Sequence, residues 1–385
     1  MPGLYLHVPF CVLKCRYCDF PSYAGVQDRM AAYLRAMTAE MDTLANEEWG
    51  AFDTVFLGGG TPSLLTGDEL NGLMRALRQR FQIAPDAEIS MECNPGTVDA
   101  HKLHEYRNGG INRLSLGLQS MDDRLLRRIG RIHTQEQFLA AYTQARKAGF
   151  ENINVDVMAG LPGQTQSGYL DTLKQVVALS PEHVSAYGLI LEEGTPLFDD
   201  VEFGRETVPD EDTVSDMLDA GLALLEASGY ARYEISNYAR PGFRCRHNLN
   251  YWRNGEYLGI GAAAHSAWRL RDSDAPRWTR WSNPSDLGAY EASVGLSLAV
   301  RELTRIPVAE EAFETVMLGL RTVKGVSLVA FNARFGQALD LLYPHAIQRL
   351  LIAGWMEMAD GFARLTRRGL DMQNSALQYF LEETE

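Results

Sequence analysis

The first half of the chain alternates between short apolar runs and longer stretches in which apolar residues recur every three or four positions. The apolar runs predict six β-strands, at residues 4–8, 54–57, 88–92, 113–118, 154–158 and 183–189. The longer stretches predict helices between them, including residues 29–44, 69–81, 135–148 and 169–179. Six strand-then-helix units in succession favour a parallel sheet with right-handed crossovers. The predicted fold class is therefore α/β, and both an open sheet and a partial barrel fit this spacing.

The composition of the chain changes after about Glu192. Residues 193–209 are rich in Gly, Pro and acidic side chains, which predicts a connection. A helix is predicted at 212–228, an aromatic and polar segment follows at 230–268, and a loop is expected around 272–284.

The C-terminal part has a pattern of its own. Helices are predicted at residues 309–320, 328–335 and 340–353, followed by two short strands over 355–365. Asp360-Gly361 between these strands is a hairpin signal, and helices followed by a hairpin favour a winged-helix-like module. The predicted domains are a core at 1–230, a connecting segment at 231–305 and a mostly helical, winged-helix-like domain at 306–385.

The charge of the chain excludes some function classes. Acidic residues outnumber basic ones by 50 to 36, which gives a net charge of −14 and makes binding to nucleic acid unfavourable. No apolar run is long enough to span a membrane. The N-terminus has neither a basic leader nor an apolar core, so we expect no signal peptide and a cytoplasmic location.

Three of the five cysteines, Cys11, Cys15 and Cys18, lie within eight residues, directly after the first predicted strand. An odd number of cysteines without an export signal favours metal or redox chemistry over disulfides. A structural zinc site is one interpretation, but it needs four ligands, for which only the nearby His7 and the distant Cys245 are candidates. Three thiolates on a [4Fe–4S] cluster would instead leave one iron open for chemistry.

The spacing Cys-x3-Cys-x2-Cys, placed after strand one of a six-unit strand–helix chain, resembles that of the radical S-adenosylmethionine superfamily. The resemblance implies that the open iron binds S-adenosylmethionine and that an electron from the cluster cleaves it to a 5′-deoxyadenosyl radical.

Other polar and glycine positions follow the predicted strands. The run Gly58-Gly59-Gly60-Thr61 follows the second strand, where it allows either close approach to a ligand or a tight turn. Glu92 and Gln119 end the third and fourth strands, and Asp156 lies in the fifth. Each of these three could cap a helix on its own, but together they are expected to meet at the carboxyl edge of the sheet, where a polar cofactor needs partners.

A closer resemblance, to the HemN/HemW group, covers essentially the whole chain. It rests on the string from Tyr5 to Cys11, the glycine run, Glu92, Gly117-Leu118-Gln119-Ser120, Arg131, Asp156 and the string from Tyr257 to Ser266. The group includes an oxygen-independent coproporphyrinogen III dehydrogenase and a heme chaperone, and its fold is a partial six-stranded barrel. The resemblance implies S-adenosylmethionine contacts at Tyr5, Tyr17, Gly59, Gly60, Thr61, Glu92, Gln119, Arg131 and Asp156.

Two features distinguish the branches of this group. The dehydrogenase has a fourth cysteine two positions after the third and a longer N-terminal extension, whereas this chain has Phe20 and only ten residues before Cys11. The chaperone branch has His-Asn-x-x-Tyr-Trp, which is matched here by His247-Asn248-Leu249-Asn250-Tyr251-Trp252.

The string at 247–252 suggests a heme site. The resemblance implies His247 at or near the heme iron, with Tyr251 and Trp252 lining the porphyrin. The alternative is a structural motif in which His247 holds a loop and the aromatic residues are core. Cys245 is either a thiolate ligand, a covalent attachment point or a buried free thiol, and His265 is expected in the core or near the site.

The sequence therefore predicts a heme chaperone that binds heme, a [4Fe–4S] cluster and S-adenosylmethionine and passes heme to acceptor proteins, respiratory ones among the candidates. Two catalytic alternatives stay open, namely oxidative decarboxylation of coproporphyrinogen III and radical chemistry on another substrate. We predict no nucleic-acid partner and no integral membrane segment, and the family suggests a homodimer.

Overall fold

The computed structural model describes residues 2–270, 277–295 and 302–383. Its strands are β1 (Gly3–Val8), β2 (Phe10–Cys11), β3 (Tyr23–Ala24), β4 (Ala51–Gly59), β5 (Gln82–Cys93), β6 (Arg113–Gln119), β7 (Ile153–Ala159), β8 (His183–Gly188), β9 (Ala231–Arg232), β10 (Asn237–Ala239), β11 (Tyr257–Ile260), β12 (His265–Leu270), β13 (Arg277–Ser282), β14 (Thr304–Arg305), β15 (Val326–Ser327), β16 (Met356–Ala359) and β17 (Phe362–Leu365). Its helices are α1 (Met30–Leu44), α2 (Gly67–Arg80), α3 (Ala100–Asn108), α4 (Asp123–Arg128), α5 (Gln135–Lys147), α6 (Gln166–Leu179), α7 (Pro196–Glu202), α8 (Glu211–Ala227), α9 (Arg246–Trp252), α10 (Leu287–Ser293), α11 (Val308–Gly319), α12 (Leu328–Phe335), α13 (Leu339–Leu342), α14 (Pro344–Ile352), α15 (Arg367–Asp371) and α16 (Gln373–Glu382).

The six predicted strands are present as β1, β4, β5, β6, β7 and β8. They pair in this order, each parallel to the next, as successive strand–helix units require. Strand β11 adds a further parallel strand beside β1, and antiparallel strands extend both ends of the sheet. Within the described residues the sheet order runs from β14 to β9 without closure. All six parallel strands direct their carboxyl ends to the same edge.

Helices cover the sheet and contact their neighbours along it, α1 with α2, α2 with α3, α3 with α5, and α6 with α8. Local sequence signals set where they begin. Thr66 and Glu69 form a reciprocal capping box at the start of α2, and Thr134 and Gln137 form another at the start of α5.

Several predicted boundaries are corrected by the structure. The connection at 193–209 contains α7, which begins with Pro196 after the capping residue Thr195. The predicted loop at 272–284 contains strand β13, whereas residues 272–276 lie outside the described residues. The predicted helix at 340–353 is interrupted at Tyr343, because Pro344 lacks the N–H needed to continue it and begins a new helix.

The C-terminal part has a separate group of buried residues, extending from Ala312 to Phe380. The predicted hairpin forms from β16 and β17, with Asp360 and Gly361 both at positive φ in its turn. Strand β15 joins it to complete a three-stranded antiparallel sheet. The domain boundary near residue 230 stays a prediction, and strands on both sides of it belong to the large sheet. Across 2–270, 277–295 and 302–383, no helix is long and apolar enough to cross a membrane.

Candidate functional site

The three clustered cysteines line one cavity of about 540 Å³ at the carboxyl edge of the parallel strands. Cys11 ends β2, and Cys15 and Cys18 follow in a turn in which the Cys18 N–H donates to the Cys15 carbonyl over 3.2 Å. Among the described residues, no three His, Cys, Asp or Glu side chains converge on a position for a single metal ion. A four-iron cluster binds each thiolate to a different iron, so its ligands need not converge in this way.

Two polar side chains approach the thiols. The Thr61 hydroxyl lies 3.6 Å from the Cys11 sulfur, and the Arg131 guanidinium lies 3.6 Å from the Cys15 sulfur. Both groups can donate a hydrogen bond to the sulfur of a metal-ligating cysteine. Arg131 is held in place because it also donates to the Gly117 carbonyl over 2.5 Å.

The glycine run after β4 brings the backbone close to the cysteine strand. A Cβ at Gly60 would lie 2.7 Å from the Phe10 carbonyl oxygen, and a Cβ at Gly59, whose φ is +112°, would lie 2.6 Å from the His7 ring. Both positions therefore require glycine, and both line the cavity. The run is more than a tight turn, because it packs directly against the strand that ends in Cys11.

His7 connects the first strand to the cysteine loop. One ring nitrogen, Nε2, lies 2.9 Å from the Pro21 carbonyl, and the other, Nδ1, lies 2.9 Å from the Tyr5 hydroxyl. Since a carbonyl only accepts, Nε2 carries the proton and Nδ1 accepts from Tyr5. Both nitrogens are thus engaged, so His7 is not available as a fourth metal ligand in this arrangement and instead stabilises the loop.

Two carboxylates lie next to the cavity in the middle of the sheet. Glu92 accepts from the Gly59 N–H over 3.2 Å, and Asp156 accepts from Asn154 and Ser115 over 2.8 and 3.1 Å. Burial first, and the neighbouring Asp156 second, raise the pKa of Glu92 to about 8. Such a pair of partly buried acids is suited to a ligand that carries positive charge or hydroxyl groups.

The raised pKa of Glu92 predicts a pH dependence of stability. A carboxyl with a higher pKa in the folded chain binds its proton more tightly when folded, so the free energy of unfolding falls as pH rises from 4.5 towards 8. Glu92→Gln removes this titration, and the fall should be shallower. Urea unfolding across this pH range measures the slope, with the exposed Glu151→Gln as control. Equal pH slopes of the unfolding free energy in the unaltered protein and both variants would contradict the raised pKa of Glu92.

Gln119, at the end of β6, has a strained backbone conformation. Its φ is +67°, and the pairing of β6 with β7 shifts register between Gly117 and Gln119. Strained positions and bulges of this kind are common where a side chain is directed at a ligand. The amide nitrogen of Gln119 donates to the Tyr17 hydroxyl over 3.4 Å, while its oxygen and the Arg131 Nε are buried without a hydrogen-bond partner. These two unpartnered atoms in the cavity wall are suited to a polar cofactor.

The structure brings together eight of the nine predicted S-adenosylmethionine contacts in the cavity wall, namely Tyr17, Gly59, Gly60, Thr61, Glu92, Gln119, Arg131 and Asp156. Tyr5 instead lines an adjoining chamber of about 230 Å³, which shares Glu92, Ser115 and Asp156 with the main cavity. Sequence reasoning missed Tyr187, near the end of β8, and Glu192, which follows β8; both also line the main cavity. The rule that sites lie at strand ends would have identified both.

The predicted heme motif forms helix α9, whose first turn is held by a buried carboxylate. Glu88 of β5 accepts from the backbone N–H groups of Arg246 and His247 over 3.0 and 3.1 Å. The Cys245 thiol also donates to Glu88 over 3.5 Å and is fully buried. Cys245 does not line the cavity of the other three cysteines, and its position is that of a buried free thiol.

These contacts predict that Glu88→Ala destabilises the protein by ~2–3 kcal/mol, since a charge-assisted cap and its buried donors lose their partner. The neighbouring Asp86 is the matched control, because its side chain is 83% exposed and forms a loose ion pair with Arg246 over 3.7 Å. Asp86→Ala should change stability little. Urea unfolding compares the two, and an equal effect would show that Glu88 does not anchor α9.

His247 is buried, and both of its ring nitrogens have partners. Nδ1 lies 2.8 Å from the Thr54 hydroxyl and Nε2 lies 3.0 Å from the Tyr251 hydroxyl, while the ring stacks on Phe56 at 5.1 Å. Burial first, and the charge of Arg113 second, lower the pKa of His247 to about 3, so the ring is neutral. Ligation of iron would require one of these hydrogen bonds to break. The predicted role as heme ligand stays a prediction.

Trp252 is not brought together with His247 and Tyr251. Those two line the small chamber beside Glu92, whereas Trp252 lines a different cavity between α9 and the C-terminal part. The reason is helical spacing, since positions 247 and 251 share one face of α9 and position 252 points away from it. His265, expected in the core or near the site, is exposed at the start of β12 and therefore not in the core. It is close enough to His7 to contribute, after burial, to the lowered pKa of that imidazole.

Comparison with known proteins agrees with this geometry. Residues 5–176 match the radical SAM superfamily, and residues 306–372 match the HemN C-terminal domain. The chain is 36% identical over 387 residues to the heme chaperone HemW of Escherichia coli, covering 99% of this chain and 98% of that protein. It is 34% identical over 386 residues to heme chaperone HemW of Bacillus subtilis, covering 100% of both.

Among solved structures, coproporphyrinogen III oxidase (HemN) from Escherichia coli superimposes with a TM-score of 0.82, covering 98% of this chain and 90% of that chain at 24% identity. At this identity the likeness establishes the fold alone, and the predicted radical SAM fold is confirmed. Identity above 30% along the full length is stronger, and the chain belongs to the HemW family of radical SAM proteins.

Proposed function

We propose that this protein is a heme chaperone, which binds heme and transfers it to acceptor proteins. The observation that carries the proposal is the full-length similarity to curated heme chaperones from two distant bacteria. The motif helix α9 supports it, since its buried anchor on Glu88 holds the aromatic residues of the motif in fixed positions.

The residues around the main cavity fit the cofactors of the superfamily. Cys11, Cys15 and Cys18 would hold a [4Fe–4S] cluster, which supplies one electron and an open iron for S-adenosylmethionine. Thr61 and Arg131 can donate hydrogen bonds to the sulfurs of Cys11 and Cys15, and the glycines leave room where a Cβ would collide. Glu92, Gln119 and Asp156 would bind the polar groups of the nucleoside and amino acid.

A second candidate function, oxidation of coproporphyrinogen III, is favoured by the shared fold with HemN and by the complete cofactor cavity. Phe20 counts against it, because it lies in the cavity wall at the position where that enzyme's branch has a fourth cysteine, with 64% of its side chain exposed.

We also propose a cytoplasmic location, because the five cysteines are free thiols and thiols stay reduced in that compartment. Respiratory heme proteins are the proposed acceptors. We further propose a homodimeric state, which size-exclusion chromatography with light scattering would test.

Titration of anaerobically reconstituted protein with heme, followed by difference absorption, tests the proposed function. We expect a saturable spectrum with about one heme per chain. His247→Ala, measured in parallel, tests the predicted ligand, since a weakened or shifted spectrum would support a role for the imidazole. Absence of saturable binding in the unaltered protein would overturn the chaperone proposal.

A further inference from the structure

We propose that the porphyrin is held in the cavity between α9 and the C-terminal part, which we call the interdomain cleft, and not in the chamber of His247. The cleft has a volume of about 340 Å³ and is bounded by α9, α11, β15, α12 and β17. This inference rests on the proposed function and specifies where its cargo lies.

Part of the cleft wall is apolar and aromatic. Trp252 and Leu249 of α9 form one side, and Phe331 of α12, Val326 of β15 and Phe362 of β17 form the other. Aromatic side chains contributed by both α9 and the C-terminal part are suited to a planar conjugated ligand. The indole N–H of Trp252 is buried without a hydrogen-bond partner, which leaves one polar group for a ligand to satisfy.

The rim of the cleft is cationic, although the chain as a whole carries a net charge of −14. Arg244, Arg253 and Lys324 line the cleft and are exposed, and within the described part of the chain none of them has an ion-pair partner. Among the residues that the structure describes, no aspartate or glutamate lines the cleft. The Lys324 ammonium lies 4.5 Å from the centre of the Phe362 ring, beside the apolar wall. The apolar wall and the cationic rim match the two parts of a heme porphyrin, which is a flat apolar macrocycle with two carboxylates on one edge.

The C-terminal part is fixed firmly enough to form one wall. Arg334 donates to the Asn254 carbonyl over 2.8 Å and to Glu311 over 2.7 Å, and Asn254 donates to Thr315 over 3.1 Å. The Val323 N–H also donates to the Tyr233 carbonyl over 3.1 Å. The cleft is therefore a built cavity between two contacting parts.

The residues that line the cleft are suited to reversible binding of heme. The described lining residues of the cleft include no histidine, cysteine or methionine, and the hydroxyl of its one tyrosine, Tyr233, is already hydrogen-bonded to His183 and to the Cys245 N–H, so the wall offers no free strong ligand that would retain heme iron. At about 340 Å³ it is at the small end of ligand cavities, so a porphyrin would insert one part and leave the rest accessible to an acceptor.

A cavity-filling substitution with a matched control tests this location. Ala330 and Ala333 are both exposed on α12, but only Ala330 lines the cleft. We expect Ala330→Trp to weaken heme binding by on the order of tenfold or more, while Ala333→Trp binds as the unaltered protein does. The measurement is the same anaerobic heme titration on full-length reconstituted protein, with iron content and the urea midpoint as checks of folding.

A second variant, which leaves the core intact, tests the cationic rim. Replacing Arg244, Arg253 and Lys324 together by Ala should weaken heme binding and its dependence on salt. Replacing the exposed Arg35, Arg127 and Lys147 together by Ala is the control and should change neither. Should Ala330→Trp fail to fold, this pair of triple variants decides the question.

The outcomes separate the inference from the function on which it rests. No saturable heme binding by the unaltered protein would overturn the proposed function. Normal binding by the Ala330→Trp and triple variants, with loss in His247→Ala, would overturn the cleft and leave the chaperone in place. Loss in the cleft variants with binding retained in both controls would support the cleft.

Discussion

Cys11→Ser protein, reconstituted anaerobically, should hold almost no iron or sulfide, whereas the unaltered protein should hold about four of each per chain. The serine hydroxyl is a much weaker ligand than a thiolate for iron in a cluster, and the two remaining cysteines are too few to retain it. Iron and acid-labile sulfide analysis, together with the absorption band of the cluster, measures the effect.

Cys245→Ser is the matched control for this experiment. Cys245 is fully buried and donates to Glu88, a role that a hydroxyl can take over, and it lies outside the main cavity. The control should therefore retain its iron and sulfide. Loss of the cluster in Cys245→Ser would show that Cys245 is a cluster ligand. Retention of iron and sulfide in Cys11→Ser would contradict the proposed cluster site.

Gly60→Ala is expected to abolish binding of S-adenosylmethionine and to destabilise the fold by ~1–3 kcal/mol. The added Cβ would lie 2.7 Å from the Phe10 carbonyl oxygen and 2.9 Å from the Phe10 nitrogen. These are backbone atoms of the strand that ends in Cys11, so the collision moves the cysteine loop itself. Equilibrium dialysis with labelled S-adenosylmethionine and urea unfolding measure the two effects.

Gly72→Ala provides the comparison, since Gly72 lies inside α2 and a Cβ there would have no neighbour closer than 3.9 Å. Alanine favours a helix over glycine by ~1 kcal/mol, so this variant should be slightly more stable and bind normally. Normal cofactor binding by Gly60→Ala would show that the glycine run does not shape the site.

The sequence predicted most of the sheet and the main cavity because both depend on short-range patterns. Six apolar runs separated by helical stretches determine a parallel sheet, and the parallel order then brings Glu92, Gln119 and Asp156 to one edge. The positive φ of Gln119 could not be predicted, since glutamine carries no signal for it and the tertiary contacts impose it.

The heme motif was harder to interpret, because its contacts come from distant parts of the chain. Thr54 contacts His247 across 193 positions, and Glu88 anchors α9 from a strand in the first third of the sequence. The separation of Trp252 from His247 follows from helical spacing, but only once residues 246–252 are known to be a helix. Proline at 196 and 344 marked the two helix starts that the apolar pattern did not reveal.

Heme transport and coproporphyrinogen III oxidation are distinguished by offering both compounds to one preparation of the protein. Anaerobically reconstituted protein is titrated with heme, and a second aliquot is incubated with coproporphyrinogen III, S-adenosylmethionine and a reductant. We expect saturable binding of about one heme per chain and no decarboxylated product. Turnover of coproporphyrinogen III without saturable heme binding would contradict this expectation and would assign the protein to catalysis instead.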